Sequence, residues 1–308
     1  MRNYLLLVFA SALVLPVLAL GQQSAGNDPF AATRVVQNEN PALSVWQIPS
    51  RKNIIGMGYI LQTRDGKIGV IDGGYEQDVE FLLELVKRIT GQKKAHIDAW
   101  FLTHCHADHV QGLCALIEKN KIPEIGALYY SFPPRDWVIN ADEKGADEAR
   151  YIYQWLPKIP HTETRANMKI QLGNVSIAVL NDYYINTKNP YNNHQDINNT
   201  SIVYRVETGQ TSILFLGDLV RDAGDLILKN QPTEKIKADI VQVSHHGQAG
   251  VDENFYRQVN PSICLWPTPE GIWKAAPLKK KEWLWFENMN VPQQFSACRD
   301  GLIKLELK

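Results

Sequence analysis

Ile97-Asp98-Ala99-Trp100-Phe101-Leu102-Thr103-His104-Cys105-His106-Ala107-Asp108-His109 sets three imidazoles and a carboxylate directly behind an apolar run. An apolar run of this length, bounded by polar residues, reads as a buried strand over 97–102. His104 and His106 lie one residue apart just beyond that strand, so both rings can point the same way while Cys105 points the other. Asp108 and His109 open a helix expected over about 108–120, which can return their side chains to the same spot. Neutral imidazole nitrogens and carboxylate oxygens are donors that zinc, iron and manganese accept. The chain has eight histidines, and three of them fall within these six positions. A loop whose histidines only hydrogen-bond locally does not call for such crowding, and a metal site does.

Three other strand ends repeat the pattern. Lys67 to Ile71 reads as a strand closed by Asp72 and two glycines, and Ile213-Leu214-Phe215-Leu216-Gly217 leads into Asp218. Ala238-Asp239-Ile240-Val241-Gln242-Val243-Ser244 leads into His245-His246-Gly247. A strand-end carboxylate alone could simply cap the next segment. Beside the histidine-rich motif it gains a second role, because two carboxylate oxygens can touch two ions at once. One of the paired histidines can complete a coordination shell. The other can bind the first ion, donate a proton or hold a phosphate oxygen. The position directly behind the strand favours His245 as the ligand and leaves His246 beside the reacting group.

His104-x-His106-x-Asp108-His109 resembles the signature of the metallo-β-lactamase-fold hydrolases, and the likeness extends from about Ser44 to the C-terminus. The resemblance implies an α/β fold, a single-domain four-layer αβ/βα sandwich with two metals at one edge of its two sheets. It implies that His104 and His106 bind the first ion, Asp108, His109 and His245 the second, and that Asp218 bridges them. Asp72 would be a support residue that accepts hydrogen bonds from the metal loop. The implied cofactors are two divalent ions, zinc first, with manganese or iron as alternatives. A hydroxide held between them would attack the substrate, with Asp108 and His246 as the catalytic side chains. The family usually carries a further histidine before the strand that leads to Gly-Asp. Here that region reads Asp196-Ile197-Asn198-Asn199-Thr200-Ser201, with His194 the nearest histidine. This departure, together with Ser244-His245-His246-Gly247, resembles the hydrolase domain of the competence DNA-uptake protein and phosphorylcholine esterase. That subgroup implies a phosphoester or phosphodiester substrate. The alternatives are a carbon-centred ester, thioester or lactam at the same site, or a non-catalytic metal-binding protein of the same fold.

The chain of 308 residues has room for one large two-sheet domain, and its 44% hydrophobic and 21% charged residues are those of an ordinary globular protein. A formal net charge of -1 gives no sign of a globally basic nucleic-acid-binding surface and leaves room for a local basic groove; nucleic acid is expected only as a substrate. Met1-Arg2-Asn3, an apolar run from Tyr4 to Leu20 and the small residues around Gly21 read as a signal peptide over 1–21, which implies a secreted or periplasmic protein with no membrane span after cleavage; the rival reading is a retained membrane anchor, for which a run of about 20 apolar residues is usual and this one, broken by Pro16, is short. Residues 22–41 read as a flexible lead-in and 42–308 as the hydrolase domain. The four cysteines do not space as a disulfide framework and read as free thiols. No obligate protein partner is evident.

Periodicity sets the remaining expectations. Val79, Leu82, Leu83, Val86 and Ile89 mark a helix over 77–90. Residues 131–160 read as a loop and a helix over 142–156 that wall the site, and 181–199 as a polar loop bordering it. A strand resumes at Thr200, Pro267 to Lys274 reads as a loop over the metals, and Gly301 to Leu305 as a closing edge strand.

Overall fold

The structure is a computed structural model and describes residues 28–141, 152–185, 197–279 and 281–308. The expected signal peptide, His194 and most of the expected helix 142–156 lie outside the described residues. Among the described residues, no helix is long and apolar enough to cross a membrane.

Residues Ala32–Lys308 fold as one unit around two mixed sheets. Its strands are β1 (Thr33–Val36), β2 (Leu43–Gln47), β3 (Gly58–Thr63), β4 (Ile68–Asp72), β5 (His96–Phe101), β6 (Glu124–Tyr130), β7 (His161–Glu163), β8 (Lys169–Leu172), β9 (Val175–Val179), β10 (Tyr204–Glu207), β11 (Ser212–Phe215), β12 (Ile240–Gln242), β13 (Ile263–Trp266), β14 (Gln293–Ser296) and β15 (Ile303–Leu307). One sheet runs β1-β15-β2-β3-β4-β5-β6-β7 and the other β14-β13-β12-β11-β10-β9-β8. Between the sheets, Leu43, Val45, Tyr59, Leu61, Ile71 and Phe101 of the first meet Ile177, Tyr204, Phe215 and Leu265 of the second. Side chains alternate across each strand, so the intervening residues are free to face helices.

Those helices form the outer layers. Over the first sheet lie α1 (Glu76–Thr90) and α2 (Ala107–Glu118), which pack on each other. Val79, Leu82 and Val86 of α1 and Val110 and Leu113 of α2 are fully buried, the spacing that a helix turns toward one side. A short α3 (Arg135–Ala141) follows β6. Over the second sheet, α4 (Arg221–Asn230), α5 (Glu253–Val259), α6 (Glu270–Lys279) and α7 (Lys281–Asn288) complete the layer. Ala223, Ile227, Phe255, Tyr256 and Phe286 of these helices pack against Leu214, Val241, Cys264 and Trp266. The result is the expected four-layer sandwich of two mixed sheets between helices.

Four expectations are corrected. The segment over 22–41 is not wholly a flexible lead-in, because its β1 pairs in parallel with β15. For the same reason β15 is not an edge strand: it is held between β1 and β2. The stretch from Pro267, expected as a loop, contains α6. Pro267 and Pro269 precede that helix and break the preceding strand, rather than prolonging the loop. Strand β10 also begins later than Thr200, since Ile197–Thr200 forms a 3-10 turn.

The parallel pairs matter most for function. β4 pairs in parallel with β5, and β11 with β12, so each pair ends at the same edge of its sheet. Ligands to open α/β sheets gather beyond such carboxyl ends. Asp72, the Thr103–His109 loop, Asp218 and the Ser244–Gly247 turn all stand there.

Candidate metal centre

Asp72 is the hub from which the first half of the centre is built. Fully buried at the end of β4, it accepts hydrogen bonds from Thr103 N (2.8 Å), Thr103 Oγ1 (2.7 Å) and His109 Nδ1 (2.7 Å). It therefore occupies the support position read from sequence, and its backbone takes a left-handed φ of 53° to do so. The indole of Trp100 donates to its carbonyl at 2.9 Å and fixes the turn from below. Donation of Nδ1–H to Asp72 leaves His109 Nε2 with its lone pair directed into the site, the usual device for orienting a metal-binding imidazole.

His104 and His106 lie across from His109. His104 Nε2 is 3.1 Å from His106 Nδ1, and the His104 and His109 ring centroids are 4.2 Å apart. His104 is fully buried and His106 half-buried. Cys105 is buried away from solvent, and all four cysteines are free thiols.

Asp218 joins the two halves. Its Oδ1 stands 3.2 Å from His109 Nε2 and its Oδ2 3.4 Å from His246 Nε2. Asp108 Oδ2 is 2.8 Å from His246 Nε2 and 3.5 Å from His109 Nε2. Two donor groups emerge, Asp108, His109, Asp218 and His246 in one and His104, His106 and Asp218 in the other, each with ligand atoms within 4.8 Å of one another. Asp218 is common to both. His109 Nε2 and Asp218 Oδ1 are buried and, although 3.2 Å apart, are not aligned for a hydrogen bond with each other or with another group. Buried polar atoms left in that state are costly unless something else satisfies them. Two convergent lone pairs of borderline donors fit divalent metal ions.

The paired histidines correct the sequence reading. His246, not His245, enters the donor cluster: its ring is fully buried, and Nδ1 sits 2.6 Å from the Pro267 carbonyl, to which it donates. His245 is half-buried and stands apart, its ring centroid 6.5 Å from that of His246. Both residues adopt left-handed backbone (φ 51°), so the alternation of an extended strand does not govern where their rings point. β12 has already ended at Gln242, and Val243 and Ser244 intervene.

The turn is held on every side. Gly247, at φ 72°, lies so close to Trp266 that a Cβ would come within 2.5 Å of the indole. Ser244 N donates to the Tyr256 hydroxyl at 3.0 Å, Thr268 Oγ1 to His246 O at 2.9 Å, and Ala249 N to the buried Glu282 Oε1 at 2.9 Å.

Two supports went unread in the sequence. Gln242, fully buried in β12, accepts from Leu216 N (2.7 Å) and Gly217 N (2.8 Å) and donates to Gly217 O (3.0 Å) and Val243 O (2.7 Å). A polar residue inside the apolar run Ile240 to Val243 was its signal. Ser201 Oγ accepts from Asp218 N at 3.2 Å, so the segment that departs from the family pattern braces the Asp218 corner. At that corner Gly217 has φ 56°, and a Cβ there would meet the Thr103 side chain at 2.8 Å.

Charges in the metal-free cluster are strongly coupled. Burial raises the Asp108 and Asp218 carboxyls, but His109 and His246 outweigh it and hold both well below the usual carboxylate range. Burial lowers His246, and Asp218 and Asp108 outweigh it, pushing that imidazole up to about 10. His109 is likewise raised against its burial by Asp218, Asp108 and Asp72. His104 goes the other way, depressed by burial and by the neighbouring His109 and His106. Protons on His109 and His246 thus neutralise the carboxylates where metal charge would otherwise do so.

Comparison with known proteins fits this geometry. Residues 55–172 match the family model of the metallo-beta-lactamase superfamily. Over those residues the chain is similar to the metallo-beta-lactamase superfamily. This superfamily consists in general of metal-dependent hydrolases. ComE operon protein 3 of Bacillus subtilis (strain 168) is 27% identical over 184 residues, 59% of this chain and 21% of that protein. The chain thus spans about a fifth of the length of this curated relative. Among solved structures, the metallo-beta-lactamase fold protein YhfI from Bacillus subtilis superposes with a TM-score of 0.50 at 12% identity, covering 85% of this chain and 99% of that one. CmlA, a diiron beta-hydroxylase from Streptomyces venezuelae, gives 0.51 at 10% identity, over 88% and 55%. At such identities the two structures establish the shared fold.

Proposed function

We propose that the domain is a hydrolase working with two divalent ions, zinc first, on a phosphoester or phosphodiester. The observation that carries the two-ion reading is Asp218, which belongs to both donor groups with one oxygen toward His109 and the other toward His246. Ions held there supply Lewis acidity and bring the pKa of water toward neutrality. His104 and His106 would hold one ion, Asp108, His109 and His246 the other, and Asp218, common to both groups, would serve the two. The chain's own contribution is orientation: Asp72 fixes the ring of His109, the Pro267 carbonyl fixes His246, and Gln242 and Ser201 fix the backbone that carries Asp218. Asp108, close to both His109 and His246, is also placed to accept a proton from attacking water.

The phosphorus substrate is supported by the resemblance carried by Ser244-His245-His246-Gly247 and the Asn198–Ser201 segment. The substrate is a small molecule or a phosphodiester, with nucleic acid entering only as substrate and no obligate protein partner. The leader over 1–21 supports a secreted or periplasmic location. The test is a substrate panel on zinc- and manganese-loaded protein: bis-p-nitrophenyl phosphate, a carboxylic ester, a thioester and a lactam. Chelator-sensitive turnover of the phosphodiester is expected. Turnover of a carbon-centred substrate beside an inert phosphodiester would replace the substrate class, and an inert panel would leave a metal-binding protein.

A further inference from the structure

Gln47, the last residue of β2, is a fully buried amide whose neighbours in register, Tyr59 of β3 and Ile303 of β15, belong to the core between the sheets. Its Nε2 crosses that space and donates at 2.7 Å to the carbonyl of Trp266, the last residue of β13 in the opposite sheet. Its Oε1 is buried without a hydrogen-bond partner. A buried amide left half satisfied costs free energy that leucine or methionine would not, so packing alone does not account for glutamine here. The carbonyl it engages belongs to the Trp266–Pro267 peptide. Pro267 has no N–H, so that carbonyl is the only polar handle on the peptide. β2 runs antiparallel to β3 and β3 antiparallel to β4, so Gln47 and Asp72 end their strands at the same edge, where the metal donors gather.

The stretch that Gln47 holds is the one that grips His246. The Trp266 indole lies against Gly247, the Pro267 carbonyl accepts from His246 Nδ1 at 2.6 Å, and Thr268 Oγ1 donates to His246 O at 2.9 Å. Three consecutive residues thus seize one turn, and His246 needs that hold because its left-handed backbone persists only where surrounding contacts enforce it. We propose that Gln47 is a positioning residue for the metal centre: from the first sheet it fixes the Trp266–Thr268 grip, and through it the direction in which His246 Nε2 meets Asp108 and Asp218. The inference rests on the two-ion reading for its consequence. An imidazole nitrogen binds along its lone pair, so a small swing of the ring about its Pro267 hydrogen bond is felt at Nε2. Asp72 orients His109 within the first sheet, whereas Gln47 reaches across to orient a donor carried by the second.

Gln47→Met is the informative variant, because it keeps nearly the same volume and removes only the donor. Exchange of the His246 Nδ1 proton with water is followed by NMR in the metal-free protein, with the His109 Nδ1 proton as internal reference, and zinc affinities come from a competition titration. The His246 proton should exchange roughly fivefold faster in the variant while that of His109 is unchanged. One of the two zinc affinities should fall about tenfold or more while the other holds. Gln47→Glu at about pH 6, where a buried carboxyl stays protonated and keeps an O–H donor, should recover part of the protection. Val45→Ala, which truncates the same buried face of β2 away from Trp266, controls for lost stability and should leave both readouts at wild type. Unchanged His246 exchange in Gln47→Met would overturn the proposal, as would equal loss at both ions or the same changes in Val45→Ala. Should Gln47→Met not fold, the wild type supplies the test: zinc should slow exchange of the Gln47 side-chain amide protons, and exchange that zinc leaves unchanged would overturn the proposal. A wild type that binds no zinc defeats the two-ion reading alone, and the exchange measured in metal-free protein still decides for or against Gln47.

Discussion

Asp72 shows how much a single buried side chain contributes to this centre. It satisfies two donors of Thr103 and orients His109, so Asp72→Asn replaces an acceptor-only group by one that must misplace a donor. Supporting partners of this kind are worth about 10–100-fold in metal affinity. A zinc competition titration should show a loss in that range for the variant, and equal affinity would remove Asp72 from its support role. The histidines make a pH prediction. An ion needs neutral imidazole, yet His246 sits at about 10 and His109 is raised in the metal-free form. Zinc binding near neutral pH must therefore release protons, and affinity must climb with pH. Calorimetry in two buffers of different ionisation enthalpy measures that release, and a buffer-independent heat would contradict it. For the metal-free protein the sign is opposite. Because its folded pKa lies above the unfolded value near 6.5, His246 contributes stability that is complete below about pH 6.5 and is lost as pH rises through about 10.

Local conformation explains which elements were readable in the chain. Strand β5 and helix α2 announced themselves through periodicity, and the His104–His109 spacing placed a metal loop between them. Gly217-Asp218 was legible for the same reason, an apolar strand ending in a small residue and a carboxylate. Assignment within His245-His246 failed because strand alternation stops applying once the backbone turns left-handed. Helix α6 was hidden behind Pro267 and Pro269, which read as loop residues although proline is tolerated before a helix. The insertion of Gln242 into an apolar strand was visible, but its purpose depends on contacts with Gly217, 25 residues away in sequence. Replacing Gln242 with Leu strands the Leu216 and Gly217 amides in the interior. With an unsatisfied buried group costing about 1–3 kcal/mol, a loss of roughly 3 kcal/mol is expected in urea unfolding. Gly247→Ala should also destabilise, by about 2 kcal/mol, since it combines a left-handed backbone with an added methyl against Trp266. Unchanged midpoints for both variants would show that the turn is less constrained than its contacts indicate.

Across the whole molecule, the two sheets bring together donors from widely separated parts of the chain. Asp72 and the His104–His109 loop come from the first sheet, Asp218 and His246 from the second, and each side alone is an incomplete donor set. Closing the sandwich and forming the metal centre are therefore linked, so metal should stabilise the fold by mass action, about 4 kcal/mol when free metal is a thousandfold above Kd. A chelator should lower the unfolding temperature of loaded protein, and equal temperatures with and without metal would break that link. The sharing of Asp218 between both donor groups is the central structural claim. Metal content of wild type and Asp218→Ala, measured by elemental analysis after reconstitution with zinc, tests it most directly. Two ions per chain in wild type and at most one in a variant that still unfolds cooperatively is the predicted result. A wild type that takes up no more than one ion, or a variant that keeps two, would contradict it.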